Sequence, residues 1–303
     1  ADSIAAILKE WGHTVKVYDT QISMSHNLSA PQAQNAARQA ITSADFVFLS
    51  PPCDTASIAH DPPWRTVFAP KGVRDLSLEA RTKIEQANVL YDFTCEAIRM
   101  CVERNIRWGL ESAASRRAGP AKCQWAKYAN HGFLWDYPCI ASLANDARYL
   151  TFAQCPFGAP WQKYTGLLVD NASYPTAHRI FNHAQCVCAS HKVVLKGYDE
   201  SGEARTRLAQ HYVPRLAHAF ASFIVEACGS NQEGEHGDEW SDALLQTNQS
   251  NLVQEIARSA TDSSQHHYEF QVGKPLPITK DPPPSPHHLN QTRKPPTAEQ
   301  EME

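Results

Sequence analysis

The sequence predicts an α/β fold in which a parallel sheet carries helices on its faces. Two observations predict it. Short apolar runs of strand length alternate with longer segments of helical period, which argues for strands joined by helical crossovers. The first three strand candidates each stop at a residue with chemistry: Asp19, Cys53 and Glu111. In an open sheet of this class the carboxyl ends of the strands share one edge, and ligands bind there.

The elements follow in order. Residues 3–11 place Ile4, Ile7, Leu8 and Trp11 on one helical face, and Gly12 is a stop signal. Thr14 to Tyr18 alternates as a strand that ends at Asp19. A helix is expected over 31–43, with Pro31 in its first turn. Phe46-Val47-Phe48-Leu49 reads as a buried strand cut off by Ser50-Pro51-Pro52-Cys53. The two prolines stiffen the turn and hold Cys53 at the strand end.

Residues 54–75 are rich in Pro and Gly and read as a long loop. The strongest helix is expected over 78–104, where Ile84, Ala87, Tyr91, Ile98, Cys101 and Val102 recur at helical spacing. Asn105 ends it, and Ile106 to Leu110 forms a strand ending at Glu111. The part from 111 to 200 is irregular, resembling a target-recognition insertion, with strand candidates at 149–153, 165–169 and 192–196. A helix over 204–227 is interrupted by Pro214, so a kink or a late start is expected. The sequence thus predicts one domain over 1–227 and a disordered tail over 228–303. The tail is rich in Pro, Gln, Asn, Ser and acid, and cannot bury enough surface to offset chain entropy. A short helix around 240–258 fits its pattern.

Composition bounds the function. A hydrophobic content of 42% supports a core. No apolar run reaches the roughly 20 residues of a membrane span, and no charged-then-apolar leader is visible. An intracellular protein is expected, nuclear if eukaryotic and otherwise cytoplasmic. The first residue is Ala, inside a helical pattern, as in a piece of a longer polypeptide. Nine cysteines without regular spacing favour a reducing compartment and thiols that are packed, ligated or reactive. Residues 229–303 hold 5 Lys/Arg against 12 Asp/Glu, a balance of −7 in a chain of net −4, which leaves +3 for residues 1–228. That balance permits nucleic-acid contact.

Cysteine is a nucleophile. A cysteine and a carboxylic acid on neighbouring strand ends are a nucleophile and an acid within reach of one ligand. An acid ending the second strand of a nucleotide-binding half commonly bonds a ribose hydroxyl.

With these residues the chain resembles the cytosine-C5 DNA methyltransferases, in the divergent form found in phages and retroelements. Ser50-Pro51-Pro52-Cys53 looks like their catalytic Pro-Cys loop. Gly109-Leu110-Glu111-Ser112-Ala113 looks like a drifted Glu-Asn-Val motif, and the series from Gly12 to Asp19 resembles the segment after their glycine-rich loop. Gln154-Cys155-Pro156-Phe157-Gly158 and Gln162-Lys163-Tyr164-Thr165 resemble a downstream block.

The resemblance covers 1–227 and implies a Rossmann-like S-adenosylmethionine-dependent methyltransferase sheet. It implies that Cys53 attacks C6 of a flipped cytosine, that Glu111 bonds or protonates N3, and that C5 takes a methyl group from S-adenosyl-L-methionine. It implies that Asp19, Asn27, Ser50 and Pro51 hold the cofactor, and that Ser57, Gln154, Lys163 and Thr165 contact the substrate. The partner implied is DNA, with RNA as the alternative. The sequence departs from the family at Asp54, where many members have Gln, and at Ser112, where the family has Asn. It shows neither the glycine-rich cofactor loop nor a clear Gln-x-Arg-x-Arg strand.

Blander readings stand beside these. Cys53 is also what a buried structural thiol looks like. Glu111 and Asp19 are also ordinary strand-end and turn residues. Asp61-Pro62-Pro63-Trp64 matches the string of adenine-N6 methyltransferases, but that motif belongs directly after a buried strand, and a Pro-rich loop is the reading adopted. Cys186, Cys188 and His191, with Cys155 or Cys139, have the chemistry of a zinc site, but Cys-x-Cys-x-x-His is not a standard spacing. A Cys-rich packed strand and turn, with no metal, is the expectation. The remaining alternatives are another base methyltransferase, and an inactive relic serving as a nucleic-acid-binding or structural part of a polyprotein.

Overall fold

Alternation along the strands sets the architecture. In β1 (Phe46–Leu49), Phe46 and Phe48 pack into one hydrophobic cluster while Val47 and Leu49 pack into another. Strands β3 (Ala147–Ala153) and β4 (Tyr164–Asp170) divide their side chains in the same way, and β2 (Arg107–Ala113) adds Trp108 and Leu110 to the second cluster. Successive side chains of a strand point to opposite faces, so a sheet with two apolar faces needs cover on both. The computed structural model describes residues 3–116, 129–143 and 147–229.

On one face lie α1 (Ile4–Glu10), α5 (Tyr174–Phe181) and α6 (Pro214–Gly229), with Phe152, Phe181, Phe220 and Phe223 at the centre of the packing. On the other lie α3 (Leu78–Glu103) and α4 (Pro138–Leu143), with Tyr91, Ile98, Trp108 and Tyr137 fully buried. The helix α2 (Pro31–Ile41) adds Ile41 to this second cluster and joins α3 through the Arg38–Glu96 ion pair. Several helix starts are explained locally. Ser3 Oγ accepts from Ala6 N at 3.2 Å, and Ser77 Oγ accepts from Ala80 N at 3.2 Å, each satisfying an otherwise orphaned helix donor. Asn105 at φ 55° turns the chain out of α3, a conformation Asn tolerates better than most residues.

The sheet order is β1-β2-β4-β3. Strands β1 and β2 are parallel, while β4 runs antiparallel to both β2 and β3. The expected parallel sheet is therefore corrected to a mixed one with a single parallel pair. The reason lies in the connections: β1 reaches β2 through the long α3, whereas β3 and β4 are close in sequence, and a short link joins antiparallel strands. The segment 14–18 is not a strand, and among the described residues it bridges to none. Strand β2 runs past Glu111 to Ala113. Residues 192–196 contribute only an isolated bridge from Val193 to Trp161, and α4 and α5 fall where an irregular part was expected. Pro214 produces a late helix start: a 3₁₀ turn at Arg205–Gln210 precedes α6. The tail from 230 onward, including 240–258, lies outside the described residues.

Two cysteines are not free thiols. Cys95 of α3 and Cys139 of α4 form a disulfide that closes a 44-residue separation. Cross-links of that span stabilise by about 2–4 kcal/mol through the unfolded state.

The loop of residues 54–75 is held by one buried cation. Arg65, 2% exposed, donates to Thr55 Oγ1 (3.1 Å), Pro70 O (2.6 Å), Asn88 Oδ1 (2.8 Å) and Ile84 O (3.5 Å). Its guanidinium also lies over the Tyr91 ring at 5.0 Å. An Arg65→Met variant keeps the stem and leaves those acceptors unpaired. It is expected to lose about 3 kcal/mol of stability, read from the denaturant midpoint; a loss below about 1 kcal/mol would mean that the loop is held by other contacts.

Candidate active site

The parallel register brings the two proposed catalytic strands together. Leu49 pairs with Leu110, so the next residue of each chain, Ser50 and Glu111, emerge side by side. Trp108 and Leu110 pack on the α3 face, so alternation turns Glu111 to the α6 face. There Glu111 is 4% exposed. Its Oε2 accepts from Ser50 Oγ at 2.7 Å and from Tyr212 OH at 2.8 Å, and Ser50 Oγ lies 3.1 Å from Tyr212 OH. Its Oε1 is buried with no hydrogen-bond partner among the described residues. A buried polar atom without a partner is costly, and its presence calls for an explanation.

Tyr212 falls within the helix expected over 204–227. Because Pro214 starts α6, Tyr212 precedes the helix, where its ring meets Phe220 (5.1 Å between centroids) and its hydroxyl reaches Glu111. Burial first, and the charge of Glu111 second, push its phenol well above the usual range. Tyr212 therefore stays a protonated donor.

Cys53 is half-buried and stands at the start of the 3₁₀ turn Asp54–Ala56. Its loop is anchored one residue earlier, where Tyr91 OH donates to Pro52 O at 2.8 Å. Burial is the largest influence on the thiol and pushes it up; the Lys163 charge pulls it down, and Glu111 and Asp54 push it up. These influences put Cys53 in electrostatic reach of both Lys163 and Glu111. Lys163 Nζ also donates to Ala209 O at 2.8 Å, tying the approach to β4 to the turn before α6.

The other expected site residues are placed differently. Gln154 and Thr165 are buried and bonded to each other at 3.0 Å, and Gln154 Oε1 accepts from Trp161 Nε1 at 3.0 Å. Their polar atoms brace the β3–β4 connection. Ser57 Oγ accepts from Ala59 N within its own turn. Asp61–Trp64 sits in the loop after the 3₁₀ turn and not at a strand end.

Two of the residues expected to hold S-adenosylmethionine make local hydrogen bonds. Asp19 is exposed and its Oδ1 accepts from Gln21 N at 2.8 Å; Asn27 Oδ1 accepts from Ser29 N at 3.0 Å. Both side chains cap their own turns. A cavity of about 520 Å³ is lined by residues such as Lys16, Tyr18, His26 and Gln32, and by none of Asp19, Asn27, Ser50 or Pro51.

No family model, no curated protein and no solved structure matches the chain.

Proposed function

We propose that the chain carries the cytosine-attacking chemistry of a C5 methyltransferase and acts on DNA. The observation that carries the proposal is Glu111: a buried carboxyl held by Ser50 and Tyr212 on one oxygen, unpartnered on the other, beside the Cys53 loop. The free Oε1 suits the N3 and amino edge of a cytosine. The thiolate of Cys53 adds to C6, and the electron pair of the C5–C6 bond moves toward the ring nitrogen that Glu111 protonates or hydrogen-bonds. Protonation of C5 by water, loss of the original C5 hydrogen and expulsion of the thiolate restore the base. S-adenosylmethionine is the methyl donor that the resemblance proposes; the chemistry assigned to the chain's own residues stops at the adduct. No helix among the described residues is long and apolar enough to cross a membrane.

The test is release of tritium from DNA carrying [5-³H]cytosine, which needs the adduct but no donor. Release that saturates with DNA supports the proposal. A second arm adds S-adenosylmethionine to DNA with 5-fluorocytosine, where an adduct stable to denaturing gels reports the donor as well. Methylation of adenine without an adduct would transfer the assignment to the adenine reading. DNA binding with neither release nor methylation would leave an inactive nucleic-acid-binding domain.

A further inference from the structure

The segment between α5 and α6 poses a physical problem. Residues 182–204 have almost no regular structure, and the small cluster beneath them buries only Ala159, Trp161 and Ala209. So little apolar burial is a weak restraint on so long a segment. Four metal-ligating side chains converge on it. The Sγ atoms of Cys155, Cys186 and Cys188 and a ring nitrogen of His191 all lie within 4.8 Å of one another. All three cysteines are free thiols. Cys139, the other candidate in the sequence, is engaged with Cys95.

We propose that Cys155, Cys186, Cys188 and His191 bind one zinc ion that staples the 182–204 segment to the end of β3. The donor set is three sulfurs and one imidazole, which selects Zn²⁺ among the common divalent ions. Four protein ligands close the coordination sphere, so the site is structural. The spacing also fits. Bonds of about 2.3 Å to sulfur and about 2.0 Å to nitrogen at a tetrahedral angle put the two donors roughly 3.5 Å apart. Cys186 Sγ and His191 Nε2 are 3.5 Å apart.

The surroundings match such a site. Cys155 opens a tight turn that Gly158 closes at φ 90°, with Gly158 N donating to Cys155 O at 2.9 Å; a left-handed φ there favours glycine. Gln162 Nε2 points at Cys186 Sγ from 3.5 Å, a donor that stabilises a metal-bound thiolate. Binding displaces the thiol protons to solvent, and the ion supplies to the segment the folding energy that its core lacks. The site shares no residue with the Cys53 and Glu111 site and does not depend on the function proposed above.

The experiment is metal analysis of the full chain expressed with zinc in the medium and then gel-filtered. About one zinc per chain is expected. Cys188→Ser and His191→Ala should each lower it about tenfold, while His191→Cys, which keeps a ligand, should retain it. Cobalt substituted into the metal-free protein should show the visible bands of tetrahedral thiolate coordination, and these should vanish in Cys155→Ser. Limited proteolysis between 186 and 204 should quicken when a chelator removes the metal. A metal-free chain whose segment is equally protected, zinc content unaltered by every single variant, or a disulfide among the three cysteines would each overturn the site. Tritium release by an unsubstituted chain that takes up no zinc would overturn this site and leave the catalytic proposal standing.

Discussion

Cys53→Ser is expected to abolish tritium release from [5-³H]cytosine DNA. The loss should be about 10⁴-fold or more, the scale on which enzymes suffer when a nucleophile is removed. Serine fits the same space but is not ionised near neutral pH, so the fold is preserved and the attack is not. The attacking species is the thiolate, which gives the reaction a sign against pH. Burial pushes the Cys53 thiol above its ordinary range, so release should climb as pH rises through an inflection above that of a free thiol. Lys163 opposes burial, so Lys163→Met should carry the inflection higher still. Full release by Cys53→Ser would end the covalent reading. An inflection unmoved by Lys163→Met would remove Lys163 from the chemistry.

Glu111→Gln is expected to cost about 10²–10³-fold in the same assay, the effect of losing one preorganised group that stabilises developing charge. The substitution is nearly isosteric. The Gln carbonyl can still accept from Ser50 and Tyr212, which hold Oε2 at 2.7 and 2.8 Å. Stability should therefore change by less than about 1 kcal/mol, and the unpartnered oxygen is what the variant replaces. Tyr212→Phe removes one of the two anchors and should cost about tenfold, within the range of a hydrogen bond to a charged group. If Glu111→Gln unfolds the protein while Tyr212→Phe leaves the rate untouched, Glu111 is a structural carboxyl and not a catalytic one.

The sequence carried the elements whose period is strong and whose ends are chemically marked. Phe46–Leu49 with its Pro-Pro stop, the 26-residue α3, and an interruption at Pro214, read as a kink or a late start, were all legible. Local rules suffice where the signal is local, as it is for a proline that cannot donate and a serine that caps a helix. Cys53 and Glu111 were likewise visible as a thiol after one strand and a carboxyl on its neighbour.

What only the tertiary structure decided is everything that pairing and packing settle. The segment 14–18 has the alternation of a strand, yet a strand exists only where a neighbour completes its ladder, and among the described residues none does. The reversal of β4 between β2 and β3 depends on which edge that hairpin meets. Tyr212 lies 101 residues from Glu111, and Arg65 reaches Asn88 of α3 from a loop rich in Pro and Gly. Cys155 stands 31 residues before Cys186, so their convergence with Cys188 and His191 could not be read from spacing. Spacing along a chain reports only neighbours within a turn or a strand. Partners tens of residues apart meet because two apolar faces of one sheet must both be covered, and that requirement belongs to the whole domain.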